Sequence, residues 1–246
     1  MVRKEEVKVL DDAEVRRVLA VTAHPDDVDF SAAGTIATLT GRGVEVVYLV
    51  VTDGDAGGFD REVDNGGMAE LRRAEQLAAA ACVGVTDVRF LGYPDGRLEP
   101  SLALRRDIAR VIRQVRPDRV ITMSPERDYR RIGRSHPDHR VVGGATLDAV
   151  YPDARNPYAF PELLEEEGLE AWTVREVWLT SPTPDHAVDV TETLDRKLAA
   201  LRAHKSQTAH RPDLEDWVRR NLAANAAEFG LPEGRYAELF QVVDTA

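Results

Sequence analysis

The sequence predicts an α/β fold, a single Rossmann-like domain over residues 1–246 in which a mostly parallel sheet carries helices on both faces. Three observations predict it. Short β-branched runs alternate with helical patterns, as in successive βαβ units. Several of those runs are almost continuously apolar, the composition of strands covered on both sides. A chain of 246 residues with 43% hydrophobic content is long enough for one sizeable core, expected over about residues 17–210 with a C-terminal extension at 211–246.

Strands are expected at residues 17–23 (RVLAVTA), 44–52 (VEVVYLVVT), 87–93 (DVRFLGY), 118–124 (DRVITMS), 175–180 (REVWLT) and, late in the chain, 236–243 (YAELFQVV). A helix at about 31–41 stops near Gly41 and Gly43, since glycine ends helices readily. A second, about 68–82, sets Leu71, Ala74, Leu77, Ala78 and Ala81 on one side as its apolar stripe. The third begins at Ser101, a good N-cap, carries Leu104, Ile108, Val111, Ile112 and Val115 at spacings of three and four, and ends before Pro117. A fourth opens at His136 and Pro137 and runs to about 149. The stretch from Tyr151 through the acidic PELLEEEGLE (161–170) reads as a solvated excursion.

Composition removes several classes of function. The formal charge of −11, without any long Lys/Arg block, argues against sequence-independent binding to nucleic acid, which depends on neutralising phosphates. No apolar run reaches the ~18 residues of a membrane span, and the first residues are charged where a signal peptide is apolar, so a cytoplasmic location without membrane insertion is expected. The lone Cys82 excludes an intrachain disulfide and a cysteine-based zinc knot. A small-molecule partner is expected, and the sequence leaves a homo-oligomer open.

The polar residues gather after the strands. Four strands run into HPDDVD (24–29), DGDAGG (53–58), PDGR (94–97) and SPERDYRRIGRSHPDH (124–139). In an open parallel sheet these carboxyl ends share one side, where ligands bind. Pro25 stiffens the turn that presents His24, Asp26 and Asp27. HPDD alone reads rather as a turn in which Asp26 or Asp27 caps the helix beginning near Ser31. His136 and His139, one helical turn apart at the same edge, shift the reading to a metal site, because imidazole and carboxylate together suit Zn²⁺. One ligand set, His24, Asp27 and His139, leaves a fourth position open for water, as catalytic zinc sites do. Asp26 and His136 are then free to move a proton and to stabilise an oxyanion. One Zn²⁺ per chain is expected, although these donors also admit Fe²⁺.

These motifs together resemble the LmbE-like, or PIG-L, family of metal-dependent N-deacetylases. The resemblance rests on Ala23 to Asp27 (AHPDD), on Arg72 and Glu75 ahead of Gly84 and Val85, on Gly92 to Gly96 (GYPDG), on His136 to His139 (HPDH) and on Ala203 to Gln207 (AHKSQ). It implies a Rossmann-like hydrolase that removes an acetyl group from an amino sugar such as N-acetylglucosamine, or from a conjugate of one, with zinc the usual metal. It implies His24, Asp27 and His139 as ligands, Asp26 as general base, His136 as partner of the tetrahedral intermediate, and Asp138 as the residue orienting a histidine. Arg72 and Asp95 match positions the family uses to grip the sugar; a surface arginine paired with Glu75 or Glu70 is the plainer reading of the first. Two departures stand out: Val28 and Asp29 follow HPDD where the family commonly has Glu, and Arg134 occupies a place where some relatives have Tyr. Arg134, Tyr129, or His136 with zinc are the available substitutes.

Arg127, Arg130, Arg131 and Arg134 form a basic cluster in an otherwise acidic chain, suited to a carboxylate or phosphate of the substrate. A solvated loop is the competing explanation. Rival functions are an amidase acting on a larger amide of an amino-sugar thiol conjugate, a zinc phosphoesterase, and a non-catalytic sugar- or nucleotide-binding protein. For the last, no G-x-G-x-x-G follows the first strand.

Overall fold

A computed structural model describes residues 9–59, 63–129 and 131–245, the Arg134 side chain excepted, so that Arg130 lies outside the described residues. Among the described residues the strands are β1 (Arg17–Thr22), β2 (Glu45–Thr52), β3 (Asp87–Tyr93), β4 (Arg119–Met123), β5 (Glu176–Thr180), β6 (His186–Asp189) and β7 (Ala237–Asp244). They form one sheet in the order β3-β2-β1-β4-β5-β7-β6. The first five pair in parallel, and β7 is antiparallel to both β5 and β6. The expected Rossmann-like sheet is therefore present, with β6 as an addition that four residues of sequence are too short to announce. The order reverses between β1 and β4, and it is at this switch point that open α/β sheets leave a crevice.

The helices are α1 (Asp27–Gly41), α2 (Asn65–Cys82), α3 (Leu102–Val115), α4 (Pro137–Asp148), α5 (Glu162–Glu165), α6 (Leu194–Ala203), α7 (Lys205–Thr208) and α8 (Leu214–Glu228). No helix of the described residues is long and apolar enough to cross a membrane. Alternation along β1 divides the core between the two faces. Leu19 and Val21 join Leu104, Ile108 and Ile112 of α3 and Val142 of α4, whereas Val18 and Ala20 join Ile36 of α1 and Ala79 and Ala80 of α2. The α3 stripe is thus buried as its spacing predicts. Ser101 Oγ accepts from Leu104 N at 3.2 Å, and Arg116 closes the helix in the left-handed region, φ 54°, ahead of Pro117.

Two expectations are corrected. Leu71 and Leu77 of α2 are exposed, 41% and 48%, with Ala74, Ala78 and Ala81 beside them, while the buried stripe is Met68, Arg72, Glu75, Gln76, Ala79 and Ala80. Periodicity finds a stripe but not its orientation: α2 turns polar side chains inward because they meet the strand-end loops and α6 and α7. The stretch after α4 is anchored at a few points, although Glu165, Glu166, Glu167 and Gly168 are exposed. Leu163 is fully buried, and the buried Arg113 of α3 donates to the carbonyls of Ala154, Asp153, Asn156 and Ala159.

Candidate metal centre

β1 delivers His24 to the crevice and α1 begins three residues later, at Asp27 rather than near Ser31. The turn is tightly tied: His24 N donates to Asp27 Oδ2 (2.7 Å), and Asp29 N and Phe30 N donate to Asp26 O. Asp26 itself stands at φ 98°, a region that costs a non-glycine residue about 1–3 kcal/mol. Its side chain makes no capping bond, so the helix-cap explanation of HPDD fails for Asp26. From the other side of the switch point, α4 presents His136 as its N-cap and His139 in its first turn. It lies close on β4 because Gly143 has no side chain; a Cβ there would sit 2.3 Å from Met123 O.

Three side chains converge. His24 Nδ1 lies 3.2 Å from Asp27 Oδ2 and 3.2 Å from His139 Nε2, and His139 Nε2 lies 3.1 Å from Asp27 Oδ1. Ligands at 2.0–2.2 Å from a tetrahedral ion stand about 3.3 Å apart, so this donor set fits one. The other ring nitrogen, His24 Nε2, faces Asp138 Oδ2 (3.1 Å) and Asp95 Oδ1 (3.0 Å). His24, Asp95 and Asp138 are close enough to form an alternative cation site, as are His24, His136 and His139. Asp138 is already committed: fully buried, its Oδ2 accepts from Gly96 N at 2.7 Å and its Oδ1 from Leu98 N. It therefore fixes the tautomer and plane of His24, the arrangement usual behind a metal-bound histidine.

Electrostatics points the same way. Burial disfavours a charged His24, yet Asp27, Asp138 and Asp95 outweigh it and push the imidazole up to about 12. Burial likewise works to raise Asp27, but His139 and His24 hold its carboxyl well below the usual range. A pocket with this excess of carboxylates favours a cation of either kind, proton or metal. Asp26 is pushed up to about 7 by burial and by Asp27, with Arg72 opposing. Burial, then His24, lowers His136, whose Nδ1 accepts from Asp138 N and so leaves the proton on Nε2.

Arg72 is no surface arginine. At 4% exposure it donates to Gly54 O (3.0 Å) and Pro25 O (2.6 Å), and lies 3.4 Å from Asp26 Oδ2 and 3.6 Å from Asp95 Oδ2. Its neighbour in the motif, Glu75, accepts from Ser206 N and Oγ, which joins the R-x-x-E and A-H-x-S-Q segments physically. Arg127 and Arg131 are exposed on the loop before α4, and Tyr129, 87% exposed, stands in solvent. Asp55, Gln76 and His204 enter the neighbourhood without having been singled out. Asp55 Oδ1 accepts from Asp95 N, and Gln76 and His204 meet at Asp29. Asp55 falls within DGDAGG and His204 within AHKSQ, whereas for Gln76 the signal is its four-residue spacing from Arg72.

A sequence model of the GlcNAc-PI de-N-acetylase family, PIG-L, matches residues 19–150. The diacetylchitobiose deacetylase of Thermococcus kodakarensis is 33% identical over 227 residues, covering 92% of this chain and 82% of that protein. A probable N-acetyl-alpha-D-glucosaminyl L-malate deacetylase 2 of Bacillus cereus is 34% identical over 200 residues, 78% of this chain and 84% of that one. Among solved structures, the N,N'-diacetylchitobiose deacetylase of Pyrococcus horikoshii, complexed with its inhibitor MPG, superposes with a TM-score of 0.86 at 30% identity, over 95% of this chain and 85% of that one.

Proposed function

The chain belongs to the GlcNAc-PI de-N-acetylase (PIG-L) family, and we propose how its crevice performs the family's reaction, hydrolysis of the acetamide of an N-acetylated amino sugar or amino-sugar conjugate. It is a deacetylase, a hydrolase of a linear amide. His24, Asp27 and His139 hold a single zinc ion. The carrying observation is that His24 Nδ1 and His139 Nε2 stand 3.2 Å apart at the switch point of the sheet, each 3.1–3.2 Å from one oxygen of the Asp27 carboxylate. Zinc bound there supplies Lewis acidity toward a water and a carbonyl oxygen.

The chain's own residues do the rest. Asp26, adjacent to a ligand and opposite Arg72, takes the proton of the attacking water as general base. His136 presents Nε2–H to the oxyanion of the tetrahedral intermediate. Asp26 then passes its proton to the departing amine, and free amine and acetate leave. Asp138 keeps His24 in place. Asp95 and Arg72 frame the sugar side of the crevice, and Arg127 and Arg131, with Arg134 on the same loop, receive an anionic part of a conjugate where one is present.

The test is acetate release from N,N'-diacetylchitobiose and from an N-acetylglucosaminyl malate, with and without chelator, beside metal analysis of His139→Ala. Chelator-sensitive release and a metal-free variant are expected. Stoichiometric zinc in His139→Ala would sink the ligand assignment.

A further inference from the structure

The peptide group between Pro25 and Asp26 is gripped at both ends by one helix. Arg72 Nη2 donates to Pro25 O at 2.6 Å, and Asp26 N donates to Gln76 Oε1 at 2.8 Å. Arg72 and Gln76 are four residues apart on α2 and so occupy one face of it. The carbonyl and the N–H of a peptide lie in one plane and point in opposite directions, so these two contacts fix the plane's rotation. Turning it over would set a carbonyl against the Gln76 carbonyl and an N–H against the Arg72 guanidinium, two repulsive pairs in a buried setting. The rotation matters because Asp26 sits at φ 98°, and a flip of that peptide is the motion that would relax it.

The Gln76 amide has its own orientation fixed. It is fully buried, and its Nε2 donates to Asp29 Oδ2 at 2.8 Å; the same oxygen accepts from His204 Nε2 at 2.8 Å. Asp29 follows Val28, which stands where the family commonly has Glu after HPDD. We infer that Gln76 is a positioning residue, which with Arg72 clamps the Pro25–Asp26 peptide and holds Asp26 in its left-handed conformation, with Asp29 and His204 setting the direction of the Gln76 amide. The inference rests on Asp26 being the general base.

Gln76→Met has nearly the same shape and lacks both polar bonds. Its kcat is expected to fall on the order of 10²-fold, the usual effect of a small misplacement of a reacting group, with KM within about twofold and zinc content retained. Its crystal structure is expected to show Asp26 at negative φ. Gln76→Glu is expected to be as poor, because it sets a carboxylate against that of Asp29. Gln76→Glu combined with Asp29→Asn is expected to recover kcat to within about fivefold of the parent: position 76 again accepts from Asp26 N, and an amide nitrogen at position 29, in the place of the shared oxygen, donates one hydrogen to the carboxylate at position 76 and the other to His204 Nε2, that imidazole then carrying its proton on Nδ1. A general loss of packing would not be rescued by this exchange. The clamp is refuted by an undiminished kcat in Gln76→Met, by a left-handed Asp26 in its structure, or by a double variant no better than Gln76→Glu. Should Gln76→Met not fold, the comparison of Gln76→Glu with the double variant decides. Asp26→Ala is assayed alongside: activity there refutes the base assignment, whereas an inactive Asp26→Ala beside a fully active Gln76→Met refutes the clamp alone.

Discussion

The first turn of α1 carries two aspartates into two buried polar clusters of opposite character. Asp27 enters the crevice, where two imidazole nitrogens and a carboxylate crowd within 3.1–3.2 Å and the neighbours Asp26, Asp95 and Asp138 add further negative charge. Asp29, two residues on, enters a cluster where cations and donors are supplied by the protein. His204 and Gln76 donate to it, and below it Lys197 Nζ donates to Asp29 O, Phe30 O and Glu238 Oε1 while Glu238 accepts from Gly34 N and Thr35 N. One cluster supplies a counter-charge or donor to each carboxylate; in the other Arg72 serves Asp26 and Asp95, while Asp27 and Asp138 face imidazoles and backbone N–H groups. Buried carboxylates are stabilised by partners, and the cluster that concentrates acceptors at a strand-end crevice is the one in which the metal is proposed.

This contrast can be broken at several points, in descending order of effect. In the crevice, Asp26→Ala is expected to lower kcat by about 10²–10⁴-fold with zinc still bound, measured by steady-state deacetylation and metal analysis. In the closed cluster, Lys197→Met leaves Glu238 buried beside no cation, and a loss of about 3–5 kcal/mol in unfolding free energy is expected by denaturant titration. Removing metal with a chelator should destabilise the parent by about 2.7–4 kcal/mol if the free ion stands at 100 to 1,000 times its Kd. The same chelator should leave the melting temperature of His139→Ala unchanged. At the rim, Arg127→Ala with Arg131→Ala should raise KM about 5- to 10-fold for a carboxylate-bearing conjugate and leave KM for N,N'-diacetylchitobiose unchanged. The smallest effect is expected at Tyr48→Phe. Its hydroxyl is buried and has no hydrogen-bond partner among the described residues, so stability should shift by under about 1 kcal/mol in either direction.

The strands other than β6 were legible as β-branched, almost continuously apolar runs, and the α3 stripe as a local pattern of three and four that burial followed. α8 goes unread although Leu214, Val218, Leu222 and Ala226 recur every four residues and are all buried. That spacing lacks the mixture with three that marks a broad stripe. α2 misleads for a different reason: its apolar residues lie outward because the inward face is reserved for Arg72, Glu75 and Gln76, each bonded to a segment distant in the chain. The basic loop likewise reads as a cluster in sequence, and in the structure Arg127 and Arg131 are exposed.

The sequence by itself determined which chemistry gathers after the strands, since strand order and the identities in HPDD, PDGR and HPDH are local facts. It also determined that α4 would carry two histidines one turn apart. Tertiary structure alone decided which nitrogen of His24 faces Asp27 and His139 and which faces Asp138, and which aspartate of α1 enters which cluster. It alone turned Gln76 toward Asp26. The physical reason is distance along the chain: the partners of Asp26 and Asp29 lie 50 and 175 positions away, and no periodicity of a single element encodes a contact that only folding brings together.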